Sequence, residues 1–271
     1  MPIALLSPAS AVRMADEWFA IADDQHFWLR RRFQVFRNLV GRHRLLDGGR
    51  RWAEFGCGHG VVLRQCRESF GVRVRGFDLD RTPLELAARD ASLDLAVYDV
   101  FDRREDLAGA FDGILLFDVL EHIPDAAGFL AAVGHHLAPG GWIAVNVPAL
   151  MSLYSRYDEV AGHVRRYRIG DLRREADEAG LAVVDATYWG APLLPAAWAR
   201  CLVMARTERG KVIERGFRPP SRMVNAAMGL VARLEHVPQR LVGTSVMAIL
   251  RRASAQVGAG PGTAEAREAT P

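Results

Sequence analysis

Cysteine is scarce in this chain, and long uninterrupted apolar runs are missing. Three cysteines among 271 residues, Cys57, Cys66 and Cys201, form no CxxC pair. An odd, unpaired set argues against a secreted disulfide scaffold and against a thiolate zinc site, so a reducing cytoplasm is the expected compartment. The opening MPIALLSPAS holds too short an apolar stretch for a signal peptide, with no basic residue before it. The most apolar late stretch, YWGAPLLPAAWARCLVMA, is broken by Pro192, Pro195 and Arg200, so no membrane span is expected. Net charge is slight, +3 at neutral pH. That charge does not call for a nucleic-acid partner, although weak attraction to acidic partners stays open.

What is present suits a buried core. Half the residues are hydrophobic and a quarter are charged, enough for one large α/β domain with an elaboration. Residues 254–271, SAQVGAGPGTAEAREATP, have no aliphatic run and are expected to be a disordered tail. Residues 1–47 are expected to form a helical lead-in, with a helix over 11–46 carrying Trp18, Phe19, Phe27, Trp28, Phe33 and Phe36 among charges.

From 48 to 253 the pattern alternates. Strands are expected at 51–55, 72–77, 94–98, 111–118, 142–148, 181–189 and 243–252, with helices at 61–69, 83–88, 126–137 and 171–179 between them and a PGG turn before Trp142. Strands alternating with helices predict a Rossmann-like, mostly parallel seven-stranded sheet with helices on both faces. Two insertions are expected, an irregular one at 149–168 and a mostly helical one at 191–242. In the second, Val224, Met228, Val231 and Leu234 share one helical face, which reads as core or dimer contact before membrane surface.

The most informative stretch is WAEFGCGHGVV, residues 52–62. Gly56, Gly58 and Gly60 alternate after a strand that carries Glu54. Glycines in the first strand-to-helix turn let a ligand approach the backbone closely. A nicotinamide enzyme would use G-x-G-x-x-G to seat a pyrophosphate. Here the spacing is G-x-G-x-G, and a carboxylate aimed at the loop would repel a pyrophosphate while suiting a cationic ligand.

EFGCGHG resembles motif I of the class I S-adenosylmethionine-dependent methyltransferases, and the segments GFDLD, YDV, FDGILLFDVLEHIPD and LAPGGWIAVNVPA resemble the following strands of that family. DEVAGHVRRYRIGDL resembles a bacterial branch of it with a GHxRRY segment. The resemblance implies that S-adenosyl-L-methionine is bound by Glu54, Gly56, Cys57, Gly58, Gly60, Asp78, Leu79, Asp99, Val100, Phe117, Asp118 and His122. Asp78 would take the ribose hydroxyls and Asp99 the adenine amine. The plainer reading of Asp78 is a helix cap, and the side chains of Cys57 and His59 read as passengers.

Methyl transfer to a hydroxyl or amine needs a base, and His is the usual one. His122, in DVLEHIPD, and His163, in GHVRRY, are the catalytic candidates. Tyr157, His163, Arg166 and Tyr167 are the candidates for holding the acceptor. The arginines of GHVRRYR either recognise an acidic or sugar-like group or pair internally with Asp158, Glu159 and Asp171. Asp118, Glu121 and His122 resemble a metal-associated set of the quinone O-methyltransferases, but the same letters occur widely without metal and no metal is assigned. The expected function is O- or N-methylation of a small-molecule or glycan-like acceptor, with acidic and lipid-linked acceptors both open, by a monomer or homodimer that could touch a membrane peripherally. The rivals are a non-catalytic S-adenosylmethionine-binding protein and a nicotinamide-dependent oxidoreductase.

Overall fold

The computed structural model describes residues 3–10 and 25–253. Their sheet has eight strands in the order β1-β4-β3-β2-β5-β6-β8-β7. These are β1 (Ala4–Leu5), β2 (Trp52–Phe55), β3 (Val74–Asp78), β4 (Asp94–Val97), β5 (Phe111–Phe117), β6 (Leu137–Pro148), β7 (Leu181–Trp189) and β8 (Ser245–Arg252). All neighbours pair in parallel except β8, which runs antiparallel between β6 and β7. This is the expected Rossmann-like α/β class with one strand more than the sequence suggests. The extra strand is β1, too short to show any alternation, which joins β4 at the sheet edge inside a stretch read as helical lead-in.

Central strands read as continuous apolar runs because both faces are covered. In β5 the side chains alternate between two cores: Ile114 and Leu116 enter the one that holds Phe55, Phe77 and Tyr98, while Leu115 and Phe117 enter the one that holds Phe36, Trp52 and Trp142. α1 (Phe27–Arg42) covers the second core with Phe36, Leu39 and Val40. The expected helix of 11–46 is therefore realised over Phe27–Arg42, and its part at 11–24 lies outside the described residues, as does the expected tail. α2 (Val61–Phe70), α3 (Arg81–Ala87), α4 (Ala126–His135) and α6 (Ile169–Glu178) are the crossover helices.

Two stretches differ from the expectation, and a third, 191–242, is helical as expected. The PGG turn is not a break between helix and strand: β6 starts at Leu137, and its pairing with β5 jumps from Phe111–Leu137 to Gly113–Trp142, so Ala138–Gly141 bulges from one strand. The stretch 149–168 is ordered around a 3-10 turn at Met151–Leu153 and α5 (Arg156–Ala161), which is opened by a Ser155–Asp158 capping box. The insertion 191–242 folds as α7 (Leu194–Met204), α8 (Val212–Phe217) and α9 (Arg222–Val231). α9 has no buried residue, so of the two readings of its apolar stripe, core or dimer contact, the core one is excluded. Among the described residues no helix is long and apolar enough to cross a membrane.

Candidate functional site

The glycine loop leaves β2 with φ of +77° at Gly56, +53° at Gly58 and +80° at Gly60, values that L side chains reach only with strain. The N–H groups of Gly56 and Cys57 both donate to Phe77 O, at 2.8 and 3.0 Å, which folds the loop back over the end of β3. A Cβ at Gly56 would stand 2.6 Å from Val119 Cγ2, so that position has neither the torsion nor the room for a side chain. Gly60 starts α2 in the left-handed conformation. Burial pushes the Cys57 thiol up, which keeps it protonated and unreactive and agrees with a passenger role.

Three carboxylates converge beside this loop. Asp78, at the end of β3, accepts from the N–H of Gly58 at 2.8 Å and from that of Asp80 at 2.9 Å. Burial raises it to about 6, against the pull of those two donors. The capping of α3 falls to Asp80, which accepts from Thr82 N–H, so the cap reading of Asp78 fails. Glu54 is buried, its Oε2 has no hydrogen-bond partner, and burial holds it well above the usual carboxylate range. Asp118 has φ +60°, an uncommon conformation for a residue with a side chain. It is fixed there by Asn146 Nδ2 at 2.6 Å and by the guanidinium of Arg32. Asn146 is oriented in turn by Trp189 Nε1 at 2.9 Å.

Arg32 was invisible as a site residue in the sequence. It comes from α1, is buried, and lies with its guanidinium 5.3 Å from the Trp28 ring centre and 5.1 Å from that of Phe117. The one available signal was a basic residue placed four after Trp28 and four before Phe36, hence on the apolar face of the helix.

A cavity of about 760 Å³ opens on these groups. Of the residues expected at a cofactor, Glu54, Gly56, Cys57, Gly58, Asp78, Leu79, Asp99, Val100, Phe117, Asp118 and His122 line it, and Gly60 does not. Tyr157, His163 and Arg166 line it too. Tyr167 does not: it is fully buried beneath the site, where its hydroxyl donates to Leu120 O at 3.2 Å. Its placement as an acceptor contact is corrected accordingly, because the alternation of the segment turns it into the sheet core.

The far wall is built around Asp158. Its Oδ1 lies 2.8 Å from His163 Nδ1 and 2.8 Å from Arg166 Nε, and Arg166 also donates to Ala149 O. Burial alone would raise Asp158, but His163 and Arg166 outweigh it and hold the carboxyl well below its ordinary range. Arg165 is spent on Glu175 and on the carbonyls of Ile123 and Pro124. Internal pairing is therefore what the arginines at 165 and 166 do, with Arg166 still facing the cavity. The His122 and His163 rings meet edge to face at 4.8 Å. Burial, with His163 adding to it, pushes His122 down to about 3. Among the described residues Glu121, His122 and His163 bring one potential metal-ligand atom each to within 4.8 Å of one another. Asp118 is held by Arg32 and Asn146 instead, so the set D-x-x-E-H does not converge as a unit.

The family described as "Methyltransferase domain" matches residues 27–186, more than half of the chain. The chain belongs to that family. The methyltransferase match runs from the start of α1 into β7 and stops before the α7–α9 insertion. Among known relatives, the "Ubiquinone biosynthesis O-methyltransferase" of Nitrosococcus oceani is 36% identical over 98 residues, 34% of this chain and 41% of that protein. The protein of the same name from Thiobacillus denitrificans is 31% identical over 159 residues, 51% of this chain and 67% of that protein. The first-matched relatives are thus spanned over less than half their length, 41% and 47%. Among solved structures, a putative sarcosine dimethylglycine methyltransferase from Galdieria sulphuraria superposes with TM-score 0.54 at 16% identity, over 83% of this chain and 85% of that one. The [4+2]-cyclase SpnF does so with TM-score 0.54 at 19% identity, over 92% and 90%. At such identities the likeness is one of fold, and a fold hosts more than one reaction.

Proposed function

We propose that this methyltransferase-family chain transfers a methyl group from S-adenosyl-L-methionine to a hydroxyl of a small, largely apolar acceptor. The observation that carries the reading is the single cavity that joins the glycine loop, Glu54, Asp78 and Asp99 at one end to His122 and His163 at the other. When bound, the cofactor supplies an activated methyl on a sulfonium. The residues fit it: the unpartnered, buried Glu54 oxygen suits a cationic group, the Arg32 guanidinium a carboxylate, and Asp78 and Asp99 are hydrogen-bond acceptors on the wall for ribose and base.

The protein's own task is then to hold the acceptor, exclude water and receive a proton. His122, pushed down to about 3, is neutral at pH 7 but a weak base. His163 is the better one, since its Nδ1 is anchored on Asp158 and the ring is thereby oriented. Phe27, Leu193, Met204, Ile213 and Phe217 supply apolar wall, which suits a ring or an alkyl body rather than a glycan. The O-methyltransferase names of the relatives favour a hydroxyl over an amine as acceptor. A lipid-linked hydroxy-aromatic compound is the acceptor class that fits these walls.

The test has two parts. Calorimetric titration should detect S-adenosylhomocysteine, with a gain in thermal stability, and no heat with NADH. Radiolabelled S-adenosylmethionine should then label a dihydroxybenzoate bearing an alkyl tail. NADH binding in place of S-adenosylhomocysteine would overturn the cofactor, and binding without turnover on any acceptor would favour a non-catalytic protein.

A further inference from the structure

The surface of the α7–α9 insertion is unlike the rest of the molecule in two independent ways. Residues 191–242 carry nine of the fourteen large hydrophobic side chains that stand exposed among the described residues. Leu202 is 73% exposed, Leu230 67%, Leu234 73% and Leu241 90%. The same stretch has nine Lys and Arg against three Asp and Glu, a net +6 in a chain whose total is +3, so everything else sums to −3.

The three acids do not neutralise it. Glu208 pairs with Lys211 and Glu214 with Arg218, while Glu235 is turned inward to Arg31 and to the N–H groups of Gly190 and Ala191. Arg206, Arg209, Arg215, Arg222, Arg233 and Arg240 stand exposed with no ion pair among the described residues. α7 and α9 also flank the cavity: Val203, from α7, and Val224, from α9, are both exposed and both line it.

We propose that this face seats on an anionic lipid bilayer, with its leucines entering the interface and its arginines meeting the headgroups, so that the cavity opens toward the membrane. Apolar residues interleaved with arginine are what an interfacial surface needs, and anionic headgroups supply the opposite sign. A second copy of this chain would bring two +6 faces together, which like-charge repulsion opposes. A dissolved polyanion would satisfy the arginines and leave the leucines in water. The inference goes beyond the proposed reaction and does not require it.

The test is cosedimentation of the full chain with large vesicles of phosphatidylcholine alone and of phosphatidylcholine mixed with phosphatidylglycerol, at low and high salt. The wild type should sediment with the anionic vesicles, less so at high salt, and not with the neutral ones. Each basic residue at a charged surface changes partitioning by about fivefold. R206E/R222E/R233E should therefore weaken binding by about a hundredfold or more. L202E/L230E/L234E should weaken it at least about tenfold through lost apolar burial. None of these six residues lines the cavity. S-adenosylhomocysteine titration of each variant reports folding, and its failure in the wild type would count against the cofactor reading alone. No wild-type sedimentation with anionic vesicles would overturn the proposal. So would binding indifferent to lipid charge and to both triple variants, or a wild-type dimer in sedimentation velocity that the leucine variant dissolves.

Discussion

Asp158, in the first turn of α5, and His163, just past the Gly162 that ends it, meet at 2.8 Å, with Arg166 closing on the same carboxylate. Asp158 is fully buried and the Arg166 side chain is 5% exposed, so the pair is sheltered from solvent. Removing one charge from such a pair strands the other, at a cost of about 3–5 kcal/mol.

Asp158→Asn should lower stability by about 3 kcal/mol in urea titration. It should also lower turnover by about a hundredfold through loss of ring orientation, with S-adenosylhomocysteine affinity little changed. The pH dependence follows from the direction of the shift. A carboxyl held below its ordinary value near 3.9 adds stability above that pH and loses it as pH falls toward the folded value. The wild type should therefore lose stability below about pH 4 more steeply than the variant. Parallel curves would remove Asp158 as a paired anion.

Asp78 has the opposite sign. Raised to about 6 by burial, it binds its proton more tightly folded than unfolded, so its contribution to stability falls between about pH 4 and 6 as pH rises. A ligand that engages the carboxylate must release that proton. S-adenosylhomocysteine affinity should thus rise about tenfold per pH unit below about 6 and flatten above it. Asp78→Ala should remove the Asp78 share of the pH dependence, leaving only that of Glu54, which burial also raises, and weaken binding by about 1.5–3 kcal/mol, measured by calorimetry in buffers of different ionisation enthalpy.

Arg32→Met tests the residue that the sequence concealed. If the guanidinium holds the carboxylate of the ligand, the variant should bind S-adenosylhomocysteine at least about tenfold more weakly, as expected for a lost charged hydrogen bond. It should bind 5′-methylthioadenosine, which lacks that carboxylate, about as well as the wild type. Equal losses for both ligands would make Arg32 only a partner of Asp118.

Local pattern made one end of the site legible. Glu54, the three glycines and Asp78 sit within a strand–turn–helix–strand unit whose spacing determines where the loop and the strand end meet. Arg32 and Asn146 were not legible, because each acts through a contact between segments distant in the chain, as Arg32 does with Asp118, 86 residues away, whereas Asp158, five residues from His163 and eight from Arg166, was legible as a partner of the arginines. Tyr167 was misplaced for a related reason: a polar aromatic beside two arginines looks like a contact residue until strand-like alternation buries it. The stripe of α9 was read as core or dimer contact, and only the core alternative fails, because periodicity reports that a face is apolar, not what covers it.

The two histidines separate the proposed chemistry from mere architecture. His163→Ala should lower turnover by about two to four orders of magnitude, as loss of a general base does, and leave S-adenosylhomocysteine affinity nearly intact, because the ring faces the Asp158 wall rather than the glycine loop. His122→Ala should act differently. With the ring neutral across the physiological range, its removal takes away packing and not a base, so kcat should fall far less than in His163→Ala while KM rises. His163→Gln supplies the control, since it keeps a polar group beside Asp158 without an imidazole and should restore stability but not rate. Full turnover of His163→Ala from pH 6 to 9 would leave the Asp158 cluster as a packed wall and move the search for the base to Glu121.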